Sequence, residues 1–415
     1  MSLAGRVDPW LLALCASRAG ATLVFMTYAA ALPVLREAWG MSATAAGSVS
    51  TGFQLGYAVS LLVFSALADR VGARRVYLWS GWLSAATAVA FALWARSYVS
   101  GLALSALIAL SQGGTYTTAI MLIADRYPPR RRGAAVGWLI ASMSLGFALS
   151  LAVAGLGLRL GGYPLAFALT AAGPVLGAVL GWLALQSSPD VVHRPAAGGR
   201  FGAAVLKNAQ AVRLMVGYTL HSWELLGMWA WTPAFVAAAM AAAGSGEMLA
   251  VQHGAYVSAA FHLMGLVAST TMGGLSDRLG RRDVLVGVAA ISTACSFVFG
   301  WLIGWPGAVI FAVGAVYGFT ALGDSPVLST AFTEAVEPAY LGSALALRSL
   351  LGFGAGAVAP LAFGAVLDLT NPPGGVPAAW GWAFATLGLG GLGATICAWG
   401  VARGRPVEAL RRGRA

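Results

Sequence analysis

The chain has 415 residues, 59% of them hydrophobic and 9% charged, with a formal net charge of +11. That balance excludes a soluble domain, whose surface would be apolar almost everywhere. It also excludes a basic nucleic-acid binder, because the charge stands in short strings between apolar runs and not on one polar face.

The first apolar run, Trp10 to Leu35, carries a single charge, Arg18, and is longer than the roughly 7 to 15 apolar residues of a signal peptide. It reads as a retained first span. Hydropathy and turn residues predict twelve spans of the length a bilayer core requires: 10–35, 45–68, 76–95, 99–124, 133–158 and 163–186, then 211–242, 251–275, 284–303, 306–332, 342–366 and 378–402. The fold class expected is an all-α membrane protein of 12 transmembrane helices in two pseudo-symmetric six-helix bundles. Residues 1–186 are assigned to the first bundle, 187–210 to a cytoplasmic linker containing "SSPDVVHRPAAGGRFG", 211–402 to the second bundle and 403–415 to a basic cytoplasmic tail. Cys15, Cys295 and Cys397 all fall in apolar segments and read as small buried hydrophobes.

An even number of crossings puts both termini on one side. Twenty Arg and Lys residues fall on that side and three, Arg36, Arg96 and Arg159, on the other, so the positive-inside rule makes the first side cytoplasmic.

Two strings repeat. "SALADRVGARR" at 65–75 returns as "GGLSDRLGRRD" at 273–283, with Asp69 and Asp277 separated by 208 residues, half the chain. "ADRYPPRRRG" at 124–133 falls in register with "TEAVEPAYLG" at 333–342 after a shift of 209. Parallel repeats about an axis along the membrane normal put a solute site at the midplane between them. An aspartate at the end of a second span can face the N-terminus of a neighbouring helix, where backbone amides favour an anion. The paired arginines can then close a latch across the bundles on the cytoplasmic side.

Asp69, Arg70, Gly72, Arg74 and Arg75, with Asp277, Arg278, Gly280, Arg281 and Arg282, resemble the cytoplasmic loop signature of the major facilitator superfamily. Ser65 stands where the family's leading glycine, present here as Gly273, would be. The resemblance implies a bacterial transporter working by rocker-switch alternating access. Drug antiporters of that family carry an arginine three residues before the Gln-Gly pair of the fourth span, where this chain has Ala109, and a Gly-Pro pair in the fifth span, where 133–158 has no proline. Nitrate and nitrite porters carry arginines in the second and eighth spans, and 45–68 and 251–275 contain none.

Ionisable residues at membrane depth are costly and mark function. They are Arg18, His221, Glu224, His262, Asp324 and Arg348. Helical spacing puts Tyr218, His221, Glu224 and Met228 on one face, and likewise Tyr317, Thr320 and Asp324, Gln54 with Tyr57, and Gln112 with Thr115 and Tyr116. These stripes face either a central cavity or one another as interhelical hydrogen-bond glue. Asp324 and Arg348, at comparable depth in adjacent spans, could pair, in a gating contact or in a structural salt bridge that never breaks. Glu224, one turn from His221, is the expected proton carrier. Met228, His221, Glu224, His262 and Met264 supply metal-ligand chemistry, but Met264, two residues from His262, lies on another face.

No nucleophile, phosphate loop or metal-protease pattern is present, and "GFGAGAVAP" at 352–360 lies inside a span, where its glycines serve helix packing. The chain therefore reads as no enzyme and as needing no cofactor, with energy drawn from an ion gradient. The function expected is a secondary active transporter in the inner membrane, importing a small solute with a coupling proton. Arg18 and Arg348 favour a small organic or inorganic anion. The alternatives are a transition-metal importer, a drug or amphiphile exporter, and a non-transporting receptor or scaffold in the same fold. Its expected partners are the solute, the proton and membrane lipid, with no nucleic acid, and the chain is expected to act as a monomer.

Overall fold

The computed structural model describes residues 8–192, 205–337, 341–372 and 378–402, so part of the expected linker, 193–204, and the expected tail lie outside the described residues. All regular structure among the described residues is helical. The first span is broken: α1 (Pro9–Ala21) passes through a 3-10 turn (Thr22–Val24) into α2 (Thr27–Ala38). α3 (Ala43–Val71), α4 (Ala73–Trp94) and α5 (Tyr98–Arg126) follow.

From Pro129 to Leu185 one helical run of 57 residues is interrupted at Gly161 (φ −161°, ψ 23°) and Gly162 (φ 69°, ψ −168°). A straight helix of that length would reach about 85 Å at roughly 1.5 Å per residue, nearly three times a hydrocarbon core of about 30 Å. The run instead folds back on itself. A Cβ on Gly157 would sit 2.5 Å from Cα of Ala166, a distance nine residues cannot span along one helix. The arms are α6 (129–160) and α7 (163–185), so the eleven long apolar helices are twelve spans.

The second half repeats the plan with α8 (Ala209–Ala242), α9 (Glu247–Leu279), α10 (Arg281–Phe299), α11 (Gly307–Ala335), α12 (Leu341–Thr370) and α13 (Gly381–Trp399). Prolines inside helices, such as Pro33, Pro174, Pro233 and Pro326, are tolerated because neighbouring helices take over the freed backbone groups. In lipid no hydrophobic force draws helices together, so close backbone approach does it. At the α1–α7 contact a Cβ on Gly20 would lie 2.8 Å from the carbonyl oxygen of Gly173 and 3.1 Å from Cα of Gly177.

The duplicated strings fold as the same turn. Gly72 closes α3 at φ 98°, ψ 143°, and Gly280 closes α9 at φ 99°, ψ 144°. Both lie at a positive φ that a side chain would strain, which explains the glycine in each copy. The face carrying these two turns, with the starts of α1 and α8, is called the basic face below.

The main seams between the bundles pair α3 with α12 and α6 with α9. They are tightest at the opposite face. Asp368 near the end of α12 accepts from the backbone amides of Ala43 and Thr44, at 2.8 and 2.7 Å, and from the Thr44 hydroxyl at 2.6 Å. A Cβ on Gly47 or Gly364 would clash with the carbonyl groups of Pro360 and Ala43 respectively. On the second seam Arg159 donates to Gln252 at 3.5 Å.

The basic face differs. There, each string bonds within its own bundle among the described residues: Arg74 to the Leu185 carbonyl at 2.8 Å and Arg75 to Asp190 at 2.6 Å, Arg281 to Asp277 at 2.6 Å and to Glu334 at 2.9 Å, and Arg282 to the Trp399 carbonyl at 3.0 Å. Asp69 is half-buried, while Arg70, Asp277 and Arg278 are exposed. Among the described residues the bundles are bonded at the opposite face and not at the basic one, so the expected latch across the bundles is not engaged among those residues.

Candidate functional site

Arg18 sits on the last turn of α1 and is 0% exposed. The helix can stop there because its orphan backbone groups find partners on other helices. Gln112 of α5 donates through Nε2 to the Ala21 carbonyl at 2.9 Å, and the Met26 amide donates to Ser150 Oγ of α6 at 3.1 Å. The guanidinium donates to Thr115 Oγ1 at 2.5 Å and to the Tyr57 hydroxyl at 3.3 Å, and lies 5.6 Å from the Tyr116 ring centroid. Thr115 gives its own proton to the Gln112 carbonyl at 2.8 Å, which leaves its lone pairs to Arg18. Arg18 Nε has no partner, and among the described residues no carboxylate lies within ion-pair distance. The polar stripes of α3 and α5 thus converge on one cation.

The second bundle supplies a matching group. Arg348 of α12, 8% exposed, lies 4.2 Å over the Tyr218 ring and 5.3 Å from that of Phe332. It donates to Ser329 Oγ at 3.3 Å, and its Nε is unpartnered. A pair with Asp324 does not form. α8 packs against both α11 and α12, and Asp324 meets α8 first: Asp324 Oδ2 is 3.0 Å from His221 Nδ1. The other ring nitrogen of His221 lies 2.9 Å from Ser325 Oγ. Both arginines, one per bundle, are therefore without a carboxylate among the described residues, and Tyr116 lies within electrostatic range of both.

Glu224 is one turn from His221 but points elsewhere. Its Oε1 accepts from Ser292 at 2.8 Å and Ser296 at 2.6 Å, both on α10. Ser296 Oγ is also 2.6 Å from the Tyr317 hydroxyl. Two acids thus occupy separate hydrogen-bonded nests, Asp324 with His221 and Glu224 with serines. The serines at 292, 296, 325 and 329 were not anticipated from the sequence; the signal for two of them was an i, i+4 serine pair on one face of the apolar α10.

Of the remaining expected residues, Tyr57 packs against Phe353 across the bundle seam at 5.7 Å, and Gln54 lines a cavity of about 50 Å³ with Phe25, Phe53 and Trp229. Met228 and His262 line a second cavity of about 20 Å³, where the His262 ring lies 5.2 Å from Trp229 and 5.9 Å from Phe147. His262 does not join the His221 cluster, and Met264 is exposed on another side of α9. Among the described residues no group of three His, Cys, Asp or Glu side chains converges as a metal-ligand set.

Twelve spans in two related bundles, each with buried charged residues, define a multi-pass membrane transporter. Residues 14–254 match the family model of the Major Facilitator Superfamily, and the chain belongs to that family. It is a transporter of small solutes and not an enzyme. It is similar to the hexuronate transporter of Bacillus subtilis (strain 168), 22% identical over 366 residues that cover 82% of this chain and 83% of the relative. Its fold resembles the crystal structure of the nucleoside transporter NupG, with a TM-score of 0.71 at 16% identity, covering 95% of this chain and 99% of that one. It also resembles a bacterial homologue of the human lysosomal transporter Spinster in an inward-facing and occupied conformation, with a TM-score of 0.71 at 18% identity, covering 94% of this chain and 96% of that one.

Proposed function

We propose that the protein is a proton-coupled symporter importing a small organic anion whose carboxylate is held between Arg18 and Arg348. The observation that carries this reading is the state of Arg18: fully buried at membrane depth, held by two hydroxyls, with no acid among the described residues to balance it. Such a charge is expensive to keep unless an anion visits it. A guanidinium presents a fork that matches a carboxylate, and Arg348, fixed flat by Tyr218, presents a second. Because the two belong to different bundles, an anion bridging them would draw the bundles together on the basic side, which is what alternating access requires of a solute.

Glu224 and the His221–Asp324 pair serve as the proton-carrying groups, and the basic face is the cytoplasmic one by its excess of arginine. The relative named for hexuronate supports a sugar acid as the solute class. The test is uptake in reconstituted vesicles. Glucuronate should accumulate under an inward proton gradient, compete with other small carboxylates and not with uridine, and fail to accumulate with Arg18→Ala. Accumulation of uridine or a neutral sugar in place of glucuronate would overturn the reading.

A further inference from the structure

We propose that the cavity between α8, α9 and α11 holds an ordered water and forms a proton uptake route to Glu224 that does not pass through the Arg18 and Arg348 groups. The proposal rests on the reading of Glu224 as the proton carrier. The cavity, about 20 Å³, is large enough for one water, for which roughly 10 to 15 Å³ suffices. Three buried polar atoms on its lining residues have no hydrogen-bond partner among the described residues: Trp229 Nε1, Thr232 Oγ1 and Ser258 Oγ. His262 lines the same space, and Ser258, Thr232 and His262 are all more than nine-tenths buried. Orphaned buried groups of this kind carry an unrecovered desolvation cost, and a water with three or four partners removes it.

Tyr317 also lines the cavity and connects it to Glu224. Ser296 has one proton and two neighbours, the Tyr317 hydroxyl and Glu224 Oε1, each at 2.6 Å. When Glu224 is ionised, Ser296 donates to the carboxylate and accepts from the phenol. A hydronium in the cavity can then pass its proton to the Tyr317 oxygen while the Tyr317 proton moves to Ser296 and the Ser296 proton moves to Glu224 Oε1. One proton enters, one arrives, and a neutral water is left behind. The titratable groups near Glu224 are His221 on its own helix, Asp324 and Tyr317 of α11 and Cys295 of α10, while α13 presents Gly391 to its Oε2.

The position of the cavity suits supply from the opposite face. Thr232 is ten residues from the end of α8 at Ala242 and Tyr317 ten from the start of α11 at Gly307, which places both about 15 Å in, at roughly 1.5 Å per residue. Arg348 is five residues nearer than Phe353 to the basic-face start of α12, and Arg18 is on α1, which also starts at that face.

The test is the rate at which Glu224 is protonated after a rapid acid jump, followed by the infrared band of the protonated carboxyl, with Glu224→Gln identifying the band. Tyr317→Phe, and the near-isosteric double variant Thr232→Val with Ser258→Ala, should each slow its appearance at least tenfold while the melting temperature confirms folding. Wild-type rates in both variants would overturn the route and leave Glu224 as the carrier. If the wild-type protein shows no band that Glu224→Gln removes, the carrier reading fails and the route with it.

Discussion

Asp368 holds Thr44 by two hydrogen bonds, 2.7 Å to its amide and 2.6 Å to its hydroxyl, and so ties the end of α12 to the first turn of α3 in the other bundle. The carboxylate sits where the helix dipole and unpaired amides favour an anion, the arrangement expected of the repeated strings but realised at the opposite face. Hydrogen bonds to a charged group are worth about 1.5–3 kcal/mol each, and Asp368→Ala removes three, counting the Ala43 amide, so even if most of that is recovered by water the closed-to-open ratio of this seam shifts roughly tenfold or more. Asp368→Ala should therefore raise the labelling rate of a cysteine placed at Ser50, beneath the seam, about tenfold in a background lacking Cys15, Cys295 and Cys397. An unchanged rate would show that packing alone closes this face.

Arg18 offers a test that separates binding from structure. Arg18→Gln removes a buried charge with no opposing carboxylate among the described residues, so the solute-free protein should melt at the same or a higher temperature while glucuronate binding weakens about 10- to 100-fold. Arg18→Lys should recover little, because an ammonium cannot serve Thr115 and Tyr57 in the geometry of the planar fork. A fall in melting temperature together with unimpaired binding would make Arg18 a structural group.

Much of the fold was legible because the bilayer sets element length and the repeat sets topology. The repeated strings were recognisable from charge and glycine alone, and Gly72 and Gly280 adopt nearly identical torsions. The break in the first span was not legible, since it is held by Gln112 and Ser150 from other helices and not by a proline at the break. The partner of Asp324 was not legible for a related reason: α11 and α12 follow each other in sequence, but α8 packs against both and its His221 takes the carboxylate. Depth along a span can be counted from sequence, whereas which neighbour a side chain meets depends on helix order in space.

Gly162 is the residue on which the α6–α7 hairpin turns. Its φ of 69° with ψ of −168° is a combination essentially restricted to glycine, so Gly162→Ala should cost about 1–3 kcal/mol and lower the melting temperature. Gly161→Ala, with φ near the extended region, meets only the Leu165 side chain at 2.9 Å and should cost less. Equal losses in thermal unfolding would mean that crowding, not backbone torsion, governs the turn.

Asp8, outside the membrane span, gives the stability a pH signature. Its side chain caps α1 by accepting from the Trp10 amide at 3.0 Å, and it accepts from the Tyr127 hydroxyl at 2.5 Å and from Arg126 at 3.4 Å. Burial by itself would raise its pKa, but the Tyr127 and Trp10 hydrogen bonds and the Arg126 charge together hold it below the ordinary carboxylate value. A depressed folded-state pKa contributes stability above the unfolded value, about 3.9, and loses it as pH falls through the folded value. Asp8→Asn keeps the helix cap and removes the charge, so wild type should melt higher than the variant at neutral pH, with the gap closing as the pH falls below about 4. Melting curves of both proteins between neutral and acid pH check this; a gap that persists unchanged into acid would assign the effect to shape and not to charge.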